Sequence, residues 1–132
     1  MTAGRDRARA ILVVEGVEET RDGMVRLLAR DGYDVYAART PAAAIERARL
    51  DAPELILARL DGAAADVIST ATGIRDHAGL GAGVPVVVFC SQCVPEGAEE
   101  RVGPNVYATW PDDFDQLRRC IARLLEERAS AD

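Results

Sequence analysis

Lysine is absent: all sixteen basic residues of this 132-residue chain are arginine. A guanidinium keeps its proton and its planar fork of donors, so no step that needs a lysine's compact ammonium can be performed here. Aromatic residues are few, at 5%, with a single tryptophan, and the one histidine, His77, falls in an expected loop among glycines. No apolar stretch approaches the roughly 20 residues that cross a bilayer. The opening Met1-Thr-Ala-Gly-Arg-Asp-Arg-Ala-Arg9 also lacks the apolar core of a secretory signal. A cytoplasmic location away from membranes is expected. Three cysteines, an odd number, suit a reducing compartment better than a disulfide framework. Basic charge is also in deficit. A net charge of −6 and a pI of about 4.8 argue against nucleic acid or an anionic membrane surface as partner, because both need a basic face that displaces counterions.

What is present is enough apolar material, 48% of residues, for one packed domain and too little length for two. The apolar runs are short and do not alternate: Ile11-Leu-Val-Val14, Leu55-Ile-Leu-Ala58 and Val86-Val-Val-Phe89. Such runs suit parallel strands covered on both faces by helices. Tyr33 to Ala37 and Asn105 to Thr109 complete a set of five strands. Between them lie helical patterns. The last is the clearest, with Phe114, Leu117, Ile121, Leu124 and Leu125 on one face and Arg118, Arg119, Glu126 and Glu127 on the other. Asp112 or Asp113 can cap it after Pro111. A first helix over Glu18 to Arg30 stops at Asp31-Gly32. A second begins at Thr40-Pro41, a capping residue followed by proline at the first helical position. The segment Ser91 to Pro104 is expected to form a short or mobile helix, since Pro95 and Gly97 disfavour a long one. Residues 1–8 and 130–132 are expected as tails around one domain over 9–129.

This alternation implies a flavodoxin-like, doubly wound α/β sheet of five parallel strands, with any cleft at the carboxyl ends of the strands. Glu15, Gly16, Arg59, Cys90 and the residues after Thr109 belong to that edge. In pattern and spacing, over roughly residues 8 to 128, the chain resembles the receiver domain of bacterial response regulators. That family ends its first strand in two acidic residues; here they are Glu15 and Gly16. Its phosphoacceptor aspartate falls at the end of Pro53-Glu-Leu-Ile-Leu-Ala-Arg-Leu60, where this chain has Arg59. The hydroxyl of its threonine or serine falls at Cys90, and its lysine before a proline falls at Trp110, followed by Pro111. A guanidinium cannot accept a phosphoryl group, a thiol is a weak donor, and an indole donates one neutral hydrogen bond. The family's acids hold magnesium through hard oxygen ligands. With one acid gone and a cation beside the other, magnesium binding is expected to be lost or very weak, and no cofactor is expected.

The resemblance therefore implies a pseudo-receiver, the scaffold of two-component signalling without its phosphorylation. Tyr107 matches the aromatic that moves inward on activation in the family, although its coupling partner would be Cys90. The family also suggests a protein partner, or a second copy, on the face formed by the fourth helix, fifth strand and fifth helix, with Tyr107, Trp110 and Arg118 as contacts. An enzyme is not expected, because no nucleophile, base and orienting group occur together.

Several readings stay open. Glu15 and Arg59 face each other across adjacent strand ends and suit an ion pair; otherwise Arg59 extends to solvent and Glu15 caps the following turn. Asp61, two residues on, becomes the phosphoacceptor in a shifted register. Cys90-Ser-Gln-Cys93 has the spacing of a thiol redox pair at a strand end. Zinc is disfavoured, since only Cys120 and His77 could complete a ligand set. Trp110 is either a plug in the vacated pocket or an exposed interface anchor. Gly79-Leu-Gly-Ala-Gly83 precedes a strand and reads as a connection rather than a phosphate loop.

Overall fold

The three continuous apolar runs become the buried middle of the sheet, because each strand must present an apolar side chain to helices above and below it. The computed structural model describes residues 9–110 and 113–131. Its elements are β1 (Ala10–Val14), α1 (Glu18–Arg30), β2 (Asp34–Ala38), α2 (Pro41–Leu50), β3 (Leu55–Arg59), α3 (Ala64–His77), β4 (Val86–Phe89), β5 (Glu99–Gly103), β6 (Val106–Thr109) and α4 (Phe114–Ala131). They form one six-stranded sheet in the order β2-β1-β3-β4-β6-β5. Every neighbouring pair is parallel except β5 with β6.

Alternate residues along the strands divide the core between the two faces. Leu12, Val14, Ile56, Ala58, Val86 and Val88 pack against Ala44 and Ala48 of α2 and Val67, Ala71 and Ile74 of α3. Ile11, Val13, Leu55, Leu57 and Val87 pack against Met24 and Leu28 of α1 and Leu117, Ile121, Leu124 and Leu125 of α4. Among the described residues no helix is long and apolar enough to cross a membrane.

The helix termini follow the local signals. α1 ends at Arg30, and Gly32 takes φ +95, the left-handed conformation that terminates the helix. Thr40 caps α2 by accepting the Ala43 N–H at 3.1 Å, with Pro41 in the first turn. Thr40→Ala is expected to lower stability by about 1 kcal/mol, read as a drop of about 4 °C in the thermal unfolding midpoint. Asp113 Oδ1 accepts the Gln116 N–H at 2.9 Å at the start of α4. Asp112, the alternative cap, lies outside the described residues together with Pro111, residues 1–8 and residue 132. α4 continues to Ala131, so the helix extends into the 130–132 segment expected as tail.

The segment from Ser91 to Pro104 departs from expectation. A turn over Ser91–Cys93 and a second at Pro95–Ala98, with Gly97 at φ +84, lead into strand β5 instead of a helix. The sheet therefore has six strands, one of them antiparallel. Pro95 and Gly97 destabilise a helix here, while the free edge of β6 offers a full ladder of partners: Glu99 lies opposite Thr109, Glu100 opposite Ala108 and Arg101 opposite Tyr107. Asn105, at φ 59, closes the hairpin and donates from Nδ2 to the Ala82 carbonyl at 2.9 Å. His77, expected in a loop, is the last residue of α3; its Nδ1 lies 2.9 Å from the Gly73 carbonyl, and its own carbonyl accepts from Arg49.

Candidate functional site

The carboxyl ends of the strands carry all five positions read from the sequence, Glu15, Gly16, Arg59, Cys90 and Trp110, and register explains how the first of them meet. β1 pairs Val14 with Ala58 of β3, so the next residues, Glu15 and Arg59, stand side by side. Glu15 is buried at 2% exposure and Arg59 lies over it, with Nε 3.0 Å from Oε1. The contact is ionic rather than a well-aligned hydrogen bond, because Oε1 has no hydrogen-bond partner among the described residues despite that distance. Glu15 Oε2 accepts the Val17 N–H at 3.0 Å, and the Glu15 carbonyl accepts Arg21 Nη1 at 3.0 Å. The two alternatives for Glu15 thus hold together: it pairs with Arg59 and also fixes the turn into α1.

Arg59 Nη1 lies 4.0 Å from Asp61, whose side chain is 99% exposed and stands beyond the end of β3. Gly16 is exposed, and an added Cβ would meet only the Arg39 carbonyl, at 3.7 Å, so the backbone leaves room for a side chain there. With both oxygens of Glu15 engaged and a guanidinium against one of them, this donor set does not fit a hard divalent cation.

Phe89 of β4 lies opposite Arg59 on one side and Thr109 of β6 on the other, which carries the edge across to Trp110. Thr20 and Met24 of α1, one helical turn apart, face the same place. Together Thr20, Met24, Arg59, Phe89 and Trp110 line a mainly apolar cleft of about 250 Å³. Trp110 is half-buried and forms a wall of this cleft instead of plugging it. Its backbone is held by the segment before β5: Trp110 N–H donates to the Ala98 carbonyl at 3.2 Å and its carbonyl accepts the Gly97 N–H at 2.6 Å. The cleft residues on α1 were not identified from sequence; the signal available was Thr20 and Met24 at helical spacing in the first turns after Glu15.

Cys90 and Cys93 are joined by a disulfide, with Cα atoms 5.3 Å apart, so the Cys-x-x-Cys pair is closed by a bond and does not carry the Cys90 thiol that the resemblance placed at this edge. The three-residue spacing and the turn, in which Cys93 N–H and Val94 N–H both reach the Cys90 carbonyl, put the sulfurs in range. Cys90 therefore has no thiol to offer a phosphoryl oxygen. It packs in the core beneath α2 and α3, whereas Tyr107 packs on the core beneath α1 and α4, so the two stand on opposite faces of the sheet. Cys120, the free cysteine, is buried on α4; burial first, then the Glu99 carboxylate, push its thiol up to about 12.

Arg118 lies away from this edge. It forks onto Asp31 at the end of α1, with Nε to Oδ2 at 2.7 Å and Nη2 to Oδ1 at 2.8 Å, and Nη1 meets Asp115 at 2.8 Å. It clamps α4 to α1, and a larger open cleft of about 580 Å³ beside it, lined by Asp31, Tyr33, Asp115, Arg118, Arg119 and Ala122, shares no lining residue with the cleft beside Trp110. With no helix over Ser91–Pro104, the face expected from the fourth helix, fifth strand and fifth helix consists of β5, β6 and α4, joined by an ion pair of Arg123 with Glu99.

No protein-family profile matches the sequence, and no curated protein is similar to it in sequence. Solved structures are similar in fold. The receiver domain of the hybrid histidine kinase CckA matches at 22% identity over 88% of this chain and 98% of that one, with a TM-score of 0.63. A CheY-like response regulator receiver protein from Methanospirillum hungatei matches at 13% identity over 96% and 100%, with a TM-score of 0.73. The receiver domain of a signal transduction histidine kinase from Syntrophus aciditrophicus matches at 19% identity over 91% and 92%, with a TM-score of 0.71. The architecture is thus the flavodoxin-like α/β fold of response-regulator receiver domains, with an antiparallel β5–β6 hairpin at one edge.

Proposed function

We propose that this chain is a phosphorylation-independent protein-interaction module of two-component-type signalling. The observation that carries the reading is Arg59: at the end of the central strand, where a phosphoacceptor would need a carboxylate, a guanidinium is ion-paired to the buried Glu15. The site keeps the position of the receiver pocket and replaces its charge arrangement with an internal pair, so no phosphoryl group or metal is needed to complete it. Likeness of fold to receivers from a hybrid histidine kinase and a CheY-like protein supports a place in signalling.

The partner is a protein of the same pathway, or a second copy, docking on the edge formed by β5, β6 and α4 with Trp110 as anchor. A half-buried tryptophan beside an apolar cleft has the character of a binding hot spot. Arg118 is committed to Asp31 and Asp115 and contributes little to docking.

Intact-mass spectrometry after incubation with acetyl phosphate and magnesium is expected to show no added phosphate, and beryllofluoride no change in Trp110 fluorescence. A stoichiometric acyl phosphate mapped to Asp61 or Glu15 would overturn the reading. Trp110→Ala is expected to weaken capture of a saturable partner at least about tenfold, with Arg118→Ala close to wild type. Equal capture by Trp110→Ala and wild type would count against this edge.

A further inference from the structure

The disulfide at the end of β4 has little value as a staple. It closes a loop across a separation of three residues, and the constraint that a cross-link places on the unfolded chain grows with the length it spans. Its position is more informative than its contribution to stability. Cys90 donates its N–H to the Thr109 carbonyl at 3.1 Å, and at the far end of the same loop Gly97 and Ala98 hold both backbone groups of Trp110. The loop from Cys90 to Ala98 is therefore stitched to Thr109 and Trp110 at both ends, with the disulfide in its first turn. Beyond it, β5 presents Glu99, Glu100 and Arg101 to solvent and has few apolar contacts to hold it.

We propose that Cys90 and Cys93 form a thiol–disulfide exchange site for a dithiol reductant, and that opening it releases the loop that fixes Trp110. Cys90 is buried at 4% exposure and Cys93 is half-buried, so Cys93 Sγ is the sulfur an incoming thiolate meets. The thiolate attacks Cys93 Sγ and the Cys90–Cys93 bond breaks. The electron pair leaves on Cys90, which takes a proton from water. The second thiol of the reductant, as thiolate, displaces Cys93 from the mixed disulfide, and Cys93 is protonated in turn. Two electrons and two protons pass to the protein, and the reductant departs as a disulfide. Closure is intramolecular and readily regained, because the two cysteines are only three residues apart in the chain and stay within reach of each other when the loop is released. Where the surroundings are reducing, a disulfide of this kind is transient and reports redox state instead of bracing a fold. Its bearing on partner capture rests on the interaction reading above, whereas the exchange chemistry does not.

The test equilibrates the full chain in oxidised and reduced dithiothreitol at graded ratios, traps free thiols with iodoacetamide and counts labels by intact mass, following Trp110 emission in the same samples. Two labels, mapped to Cys90 and Cys93, are expected to appear along a two-electron curve. Trp110 emission and protease sensitivity of residues 91–98 are expected to move with the same midpoint, and reoxidation is expected to reverse them. A Cys90→Ala/Cys93→Ala variant is expected to match the reduced wild type; should it fail to fold by circular dichroism, Cys93→Ser at the half-buried position serves instead. The proposal is overturned by ready labelling of both cysteines before reductant is added. It is equally overturned by a disulfide that opens only when the protein unfolds, or by reduction that leaves Trp110 emission and the 91–98 segment unchanged. None of these readouts uses a partner or acetyl phosphate, so failure here and failure of the interaction reading are separable.

Discussion

Arg59→Met is expected to destabilise the fold by about 2–3 kcal/mol, a fall of about 10 °C in unfolding midpoint for a domain of this size. The cost comes from the residue left behind. Glu15 is 2% exposed, and its Oε1 lies 3.0 Å from Arg59 Nε, so removing the guanidinium strands a carboxylate beneath an apolar cleft. Stranding one member of a fully buried pair costs about 3–5 kcal/mol. The lower figure applies because the Arg59 side chain is 34% exposed, so water replaces part of what is lost, and because the Val17 N–H still serves Oε2. Glu15→Gln removes the charge and keeps an acceptor for Val17, so the double variant is expected to be less destabilised than the sum of the singles, with a coupling of about 1 kcal/mol or more. Chemical denaturation of the four proteins checks this; additive singles would mean that the pair is geometry without energy.

Arg75 is expected to separate volume from charge. It is buried at 2% exposure on α3, and its Nη1 donates to the Val84 carbonyl at 3.1 Å and lies 3.5 Å from the Asn105 carbonyl, bracing the hairpin turn against the start of β4. Yet its Nε is buried with no hydrogen-bond partner among the described residues, and the nearby Asp76 carboxylate is 3.9 Å away and largely exposed. Arg75→Ala loses both the packing and the carbonyl contacts and is expected to cost about 3–4 kcal/mol. Arg75→Met keeps most of the volume and relieves the unsatisfied donor, and is expected to cost only about 1 kcal/mol. Equal losses in the two variants, measured by urea unfolding, would show that the carbonyl bonds and not the packing dominate.

Neither β5 nor Arg75 was legible as structure in the sequence, and the reasons differ. Glu99-Glu100-Arg101-Val102-Gly103 has no strand pattern; it is a strand because β6 would otherwise leave an open edge, and pairing between elements outweighs local propensity. The turn residues Gly103-Pro104-Asn105 between Val102 and Val106 were the available hairpin signal. Arg75 looks like any polar residue on an amphipathic helix, and only the fold shows that two carbonyls wait where it points. The disulfide is a middle case, since the spacing of Cys90 and Cys93 permits a bond but the turn that closes it is a feature of the folded chain.

What the sequence alone determined is what depends on neighbours in the chain. The apolar runs of β1, β3 and β4 require burial on both faces, Thr40-Pro41 starts α2, Gly32 ends α1, and the i, i+3, i+4 spacing from Leu117 to Leu125 gives α4 its inner face. Residue identity also gives a chain with no lysine, with arginine at position 59 and tryptophan at position 110. The tertiary structure decided what depends on residues far apart in sequence: that Glu15 both pairs with Arg59 and holds the turn into α1, that α1 supplies Thr20 and Met24 to the cleft beside Trp110, and that Arg118 is spent on Asp31. Strand register and helix docking set these distances, and contact energies of a few kcal/mol change sign over an ångström or two, a scale that residue types and spacing do not reach.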